Sequence, residues 1–393
     1  MVTYRPTLNP AVLTWARLSL NLTEERAAGL IGVPPEQLRA WESGQPPTIV
    51  QLRTIAEKYR RPLGAFFLPD PPSDPLPPHD FRTIPGREGA ELSTELLVEI
   101  RRARTRRELA IELLYELERR ATPLQIRTRV DENPEEVGRR VRQHLGVRLQ
   151  DQSGWTGEGV AFNGWKAAVE AKGVLVFQAR RISFKEVRGF SLSERPLPVI
   201  VVNGSDYSNA KPFTLLHEFI HLTLNLEGIC DPFGRAPRRR SGDAAVEVFC
   251  NHAAGAILVP AHSLLNQGEV QANDDPEGWT DGELNRLART YSVSVLVVAR
   301  RLLTLGRTTR RFYEHLQDRV VALAERSRQR RRQEGAPPRP VMVVSDLGRS
   351  FTGTVLDAYG SRVITSSDVS QYFRIKVHQI GDVQERLGLR TPE

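Results

Sequence analysis

The stretch PFTLLHEFIHLTL, Pro212 to Leu224, sets two histidines four residues apart around a glutamate. On a helix, positions i and i+4 share a face, so His217 and His221 can grip one metal ion together. Glu218 follows the first histidine directly. From there it can reach a metal-bound water without being a ligand, as the general base of a metalloprotease must. Phe213, Leu215, Leu216, Leu222 and Leu224 surround the trio. A helix this apolar is a buried one, and two buried histidines with a carboxylate need partners. The alternative is a surface helix with two unrelated histidines, which fits that apolar flank poorly.

A catalytic zinc takes three protein ligands and leaves a position for water. The run DAAVEVFCNHAAGAILVP, Asp243 to Pro260, has helical period and is mostly apolar. It carries Glu247, Cys250, Asn251 and His252. Glu247 lies inside the apolar part, where an unpaired carboxylate would be costly and zinc is the obvious partner. Glu247 is therefore the favoured third ligand, with Cys250 and His252 as alternatives. Asn251 shares the Glu247 face at i+4. Tyr207 and His252 are candidates for holding an oxyanion, and Cys230 and Cys250 otherwise read as small core or loop residues.

Short β-branched runs precede the histidine helix at Val174–Gln178, Gly189–Ser191 and Val199–Asn203, which predicts a small antiparallel sheet beside it. A sheet edge next to a metal site can take an extended peptide as an added strand. Before the sheet, NPEEVGRRVRQHLGV starts with an Asn-Pro cap, and a second helical run ends at Gly173.

Residues 1–66 read as a helical bundle, with helical periods at Ala11–Leu20, Glu24–Ile31, Pro35–Glu42 and Ile49–Tyr59. Thr23 can cap the second helix, Gly32 ends it, and Pro34-Pro35 opens the third. Helix, glycine turn and short helix form a helix-turn-helix signature. Gln37 and Arg39 are candidate base readers, with Leu38 and Trp41 on the packing side. Glu36 and Glu42 make this helix less basic than many DNA readers, and a protein-contact role is the bland alternative.

At 393 residues, two to four domains are expected. The 40% apolar content is enough for packed cores. No run approaches the ~18 apolar residues of a membrane span, no secretory signal is visible at the N-terminus, and two cysteines cannot make a disulfide framework. A cytoplasmic location without membrane contact follows as the expectation. A net charge of +8 permits nucleic-acid binding without requiring it. A proline-rich linker spans 67–83, with His79 and Asp80 read as surface, and a helical connector spans 84–130. Seven arginines between Arg101 and Arg120 interleave with glutamates, as on a salt-bridged solvated face. Residues 283–306 repeat a helix–break–helix pattern around Ser292, either an appendage resembling a helix-turn-helix or plain packing on the core. A long basic helix spans 307–335, where Arg328–Arg332 reads as a solvated end. A small unit at 336–393, with Gly360 as a helix stop and Ser366 or Ser367 as a cap, should dock on the rest.

The segments VIVVN, FTLLHEFIHLTL, GICD and EVFCNHAAGAILVP together resemble the ImmA/IrrE family of metallo-endopeptidases. The match runs from about residue 131 to 303, within a peptidase domain expected at 131–306, and DFR at Asp80–Arg82 adds to it. The N-terminal residues resemble XRE-type (lambda-repressor-like) domains. The resemblance implies a mainly helical α+β chain: a helix-turn-helix bundle, a zincin-like metallopeptidase domain with its small sheet, and a helical C-terminal region. It also implies Zn2+ held by His217, His221 and Glu247, with Glu218 as base. Ile220 stands where many members have glycine, at a position expected to point away from the metal. The implied function is cleavage of a repressor to switch on a stress, mobile-element or defence gene set, with DNA as a further partner. A homodimer and a partner encoded by a neighbouring gene are compatible with this. The second function class is a DNA-binding regulator or antitoxin-like protein that uses its peptidase fold for contact. An intact ligand set with an intact Glu218 favours the first.

Overall fold

A computed structural model describes residues 4–73, 92–157, 159–183, 186–206, 209–226, 228–230, 241–331 and 338–388. The linker from residue 74 onward, with His79 and the Asp80–Arg82 triplet, lies outside these, as does Tyr207. So do the side chains of residues 328–332. The described residues divide into two units, one up to residue 104 and one from residue 105.

The first unit contains α1 (Pro10–Leu18), α2 (Glu24–Ile31), α3 (Pro35–Glu42) and α4 (Ile49–Lys58), then a 3-10 turn at Leu63–Phe67. Thr23 Oγ1 accepts from Arg26 N, and Gly32 ends α2 in the left-handed region at φ 84°. A glycine adopts that conformation without the penalty a Cβ would bring. Leu38 and Trp41 turn into a core that also holds Val12, Leu52, Ile55 and Phe66. The Arg17 guanidinium forks onto Glu42 at 2.8 and 2.9 Å and donates to the Leu22 carbonyl at 2.8 Å, which ties α1 to α3. Thr94 and Asn21 bond the start of α5 (Thr94–Glu116) to this bundle through the Leu20 and Leu92 carbonyls.

The second unit is built around one sheet. Its strands are β1 (Leu175–Ala179), β2 (Gly189–Leu192), β3 (Val199–Asn203) and β4 (Gly228–Cys230), in the order β1-β3-β2-β4. The sheet is mixed, not antiparallel throughout: β1 runs parallel to β3, and β2 is antiparallel to β3 and β4. Strands buried along their whole length carry no alternation that would reveal direction. The fourth strand, only three residues long, falls in the GICD segment.

Helices enclose the sheet. α6 (Pro134–Leu145), α7 (Leu149–Ser153) and α8 (Val160–Glu170) precede it. α9 (Lys211–Thr223) carries the two histidines and packs on β2, β3 and α8. α10 (Ser241–Leu258) lies against both α6 and α9. Then follow α11 (Ala261–Leu265), α12 (Gly268–Ala272), α13 (Asp281–Thr290), α14 (Val295–Thr304) and α15 (Arg310–Arg331). Leu284, Leu287, Val298 and Leu302 join the same core as Leu216 and Phe219, so α13 and α14 are packing elements of this unit. α16 (Arg339–Leu347), α17 (Arg349–Gly360), α18 (Ser366–Phe373) and α19 (Ile380–Leu387) complete it, α16 seated on β1. The cap of α18 is Thr365, one position before the expected serines, with Asp368 closing a reciprocal capping box.

The arginine-rich connector helix is not simply a solvated face. Arg107 donates to the Leu197 carbonyl at 3.1 Å and pairs with Glu194 at 3.2 Å, and Arg106 lies 5.2 Å over the Phe177 ring. Long basic side chains bury their stems and still satisfy their heads, which composition alone does not show. Among the described residues, no helix is long and apolar enough to cross a membrane.

Candidate metal centre

Every residue of α9 from Thr214 to Thr223 is buried. Both histidines point to one place, with His217 Nε2 and His221 Nε2 3.1 Å apart. α10 brings Glu247 to the same point from a buried position. Its Oε1 lies 3.0 Å from His221 Nε2 and its Oε2 3.5 Å from His217 Nε2. These three are the His/Cys/Asp/Glu cluster with metal-holding geometry among the described residues.

The donor set fits zinc. Zinc bonds of about 2.0–2.2 Å in tetrahedral array put neighbouring ligand atoms about 3.3 Å apart, and the observed separations bracket that value. Two imidazole lone pairs and a carboxylate aimed at one buried point are a strained assembly unless a cation joins them. Burial raises the Glu247 pKa, but the charge and hydrogen bonds of His217, with those of His221, outweigh it. The carboxyl is thereby held well below the usual range, ionised as a ligand must be.

Glu218 is fully buried beside the first histidine. Its packing partner is Gly189 on β2, which nothing in the local sequence singles out. A Cβ at residue 189 would stand 2.8 Å from Thr214 Cγ2, 3.0 Å from the Val201 carbonyl oxygen and 3.3 Å from Glu218 Cγ. The strand thus approaches α9 at a distance only glycine permits.

The other candidates on α10 part company with the centre. Burial pushes the Cys250 thiol up, and the nearby charges of Glu247 and Glu218 push it further, so it stays a protonated core group outside the cluster. His252 faces α6 instead: its Nε2 lies 2.6 Å from Glu135 Oε1, and Glu135 Oε2 takes Arg301 Nη2 at 2.6 Å. A histidine committed to that pair is not a free donor for an oxyanion. Burial raises the Glu135 pKa, yet His252 and Arg301 bring it down to about 2. Asn251 is half-buried one turn beyond Glu247.

α10 is anchored at its far end. The Ile257 carbonyl accepts from Arg142 at 2.6 Å, Leu258 from Gln152 at 2.9 Å and Val259 from Arg301 at 2.8 Å. Helix C-terminal carbonyls have no partners within the helix, and cationic donors there also suit the dipole. In the first unit, Gln37 is half-buried and Arg39 exposed on α3. Arg39 meets Glu24 at 3.2 Å and Glu36 at 3.6 Å.

Residues 169–303 match the family model of the IrrE N-terminal-like domain, a peptidase family, and residues 13–66 match a helix-turn-helix family model. No curated protein and no solved structure matches the chain. Residues 13–66 are thus an XRE-type helix-turn-helix domain, and residues 169–303 a domain of the ImmA/IrrE peptidase type.

Proposed function

We propose that the protein is a zinc-dependent endopeptidase that cleaves a regulatory protein, such as an XRE-type repressor, and binds DNA through its N-terminal domain. The observation that carries this is the meeting of His217, His221 and Glu247 within 4.8 Å in a buried site that also holds Glu218. Zinc held by His217, His221 and Glu247 would supply a water whose pKa is lowered toward neutral. Glu218, buried beside His217, would take a proton from the attacking water and pass it to the departing amine. Within the described sheet, β4 is one of the two edge strands and lies next to α9. Its outer side suits an extended peptide added as a further strand.

Glu218→Gln keeps the shape of the side chain and removes the base. Cleavage of the repressor is expected to fall at least about a hundredfold, with zinc content by elemental analysis unchanged. Zinc retained together with full cleavage would remove Glu218 from the role of base. For the DNA arm, the exposed pairs of Arg39 with Glu24 and Glu36 are the kind a nucleic acid displaces at little cost. Arg39→Ala should weaken binding in a gel-shift titration by about tenfold, and an unaltered midpoint would exclude Arg39 as a reader.

A further inference from the structure

A groove of about 820 Å³ lies against the start of α9, the α13–α14 turn and α15, and the chemistry above makes no use of it. Its volume falls within the roughly 300–1,000 Å³ of concave ligand sites. The apolar part of the lining includes Trp155, Phe213, Leu296, Val297, Tyr313 and Val320. Arg188, Arg289 and Arg300 also line it, and no aspartate or glutamate does so among the described residues.

Arg300 is fixed there. Its guanidinium lies 5.3 Å from the Phe213 ring centre and 5.5 Å from that of Tyr313, and it donates to Tyr313 Oη at 2.9 and 3.2 Å. Arg289 is exposed and forms no ion pair with any described residue. The groove and the metal centre share helix α9. Phe213 lies one helical turn before His217, their ring centres 6.2 Å apart. One aromatic ring thus lines the groove and also abuts the first histidine.

The geometry points to this groove as the specificity subsite of the same centre. It takes a substrate segment whose large apolar side chains are flanked by an aspartate or glutamate. The apolar groups cover the floor and the carboxylate meets the Arg289 guanidinium. A segment flanked by lysine or arginine is disfavoured, because its cation would face the exposed Arg289 guanidinium, which pairs with no described residue. The position of this subsite rests on the peptidase function proposed above, whereas the chemistry of its occupant rests on the lining alone.

Binding can be read without turnover in the full-length, zinc-loaded Glu218→Gln variant. The probes are fluorescein-labelled synthetic peptides with identical apolar residues and either glutamate or lysine at the flanking positions. The glutamate peptide is expected to bind about tenfold more tightly. Arg289→Glu, at an exposed position, should erase or reverse that preference. Leu296→Trp, which fills the groove, should weaken the glutamate peptide about tenfold while zinc content and melting temperature hold. Equal binding of the two peptides, or preferences unmoved by both substitutions, would overturn the proposal. The Glu218 enzyme assayed on unfolded casein separates the two ideas. A charge preference without hydrolysis supports the subsite and sinks the peptidase. Hydrolysis without a charge preference does the reverse.

Discussion

At residue 189 the lack of a side chain is itself a structural requirement. Gly189 lets β2 approach α9 closely enough for Glu218 to pack on the strand backbone. Gly189→Ala forces Thr214, the Val201 carbonyl or Glu218 to shift, at a cost of roughly 1–3 kcal/mol for overpacking. Cleavage should fall more than zinc content, because the residue touches the Glu218 side chain and no ligand is among its nearest atoms. Equal loss of both, measured on one preparation, would show a general collapse of α9 instead. Single residues were unevenly legible in the sequence. His217, Glu218 and His221 are local to one helix, so spacing alone puts them together. Glu247 was legible because one acid inside an apolar run demands a counter-charge. His252, a near sequence neighbour of Glu247, faces Glu135 instead of the centre. Five residues along a helix turn a side chain about 140° away, and its partner Glu135 lies 117 positions off. Gly189 carries no such local signal, since its constraint comes from a helix later in the chain.

Helices of this fold declare their ends more plainly than strands declare their direction. Thr23, Asn133, Thr280 and Thr365 all cap as their residue types prefer. The parallel pairing of β1 with β3 could not be read, because strands covered on both faces are nearly continuously apolar whichever way they run. α10 shows how an element positions a ligand from afar. Three long polar side chains, drawn from α6, α7 and α14, close on its last carbonyls. Arg301 is fully buried and also neutralises Glu135. Arg301→Met fills similar space yet strands that carboxylate with His252 as its remaining partner. Breaking such a buried pair from one side costs about 3–5 kcal/mol. A urea midpoint lowered accordingly is expected, with weaker zinc retention as Glu247 loses its rigid mount. An unchanged midpoint would mean that the α10 end is held by Arg142 and Gln152 alone.

On the scale of the whole second unit, the C-terminal helices are part of the domain that bears the metal centre. α16 presents the Ser345 carbonyl to two buried donors, Lys166 Nζ and Gln178 Nε2, each at 2.7 Å. Arg180 bonds Asp346 at 2.7 Å, and Phe351 meets Phe177 of β1 edge-to-face at 5.6 Å. Burial pushes the Glu170 carboxyl up to about 7, and it accepts from Arg349 N at 3.2 Å. The same Gln178 accepts from Lys211 at the start of α9, so a polar chain leads from α16 through β1 to the histidine helix. A chain ending at Gly335 would bare β1, leave Lys166 and Gln178 without the Ser345 acceptor and expose Phe177. Unsatisfied buried donors and a lost aromatic contact each cost more than this unit can absorb without softening. The melting temperature should fall by about 10 °C or more, and zinc should exchange faster with a chelator. The looser end of that chain is α9, so the effect on zinc should exceed what the lower melting temperature alone explains. Should the truncated chain melt and hold zinc like the full one, residues 338–388 would be an appendage and not a wall of the catalytic core.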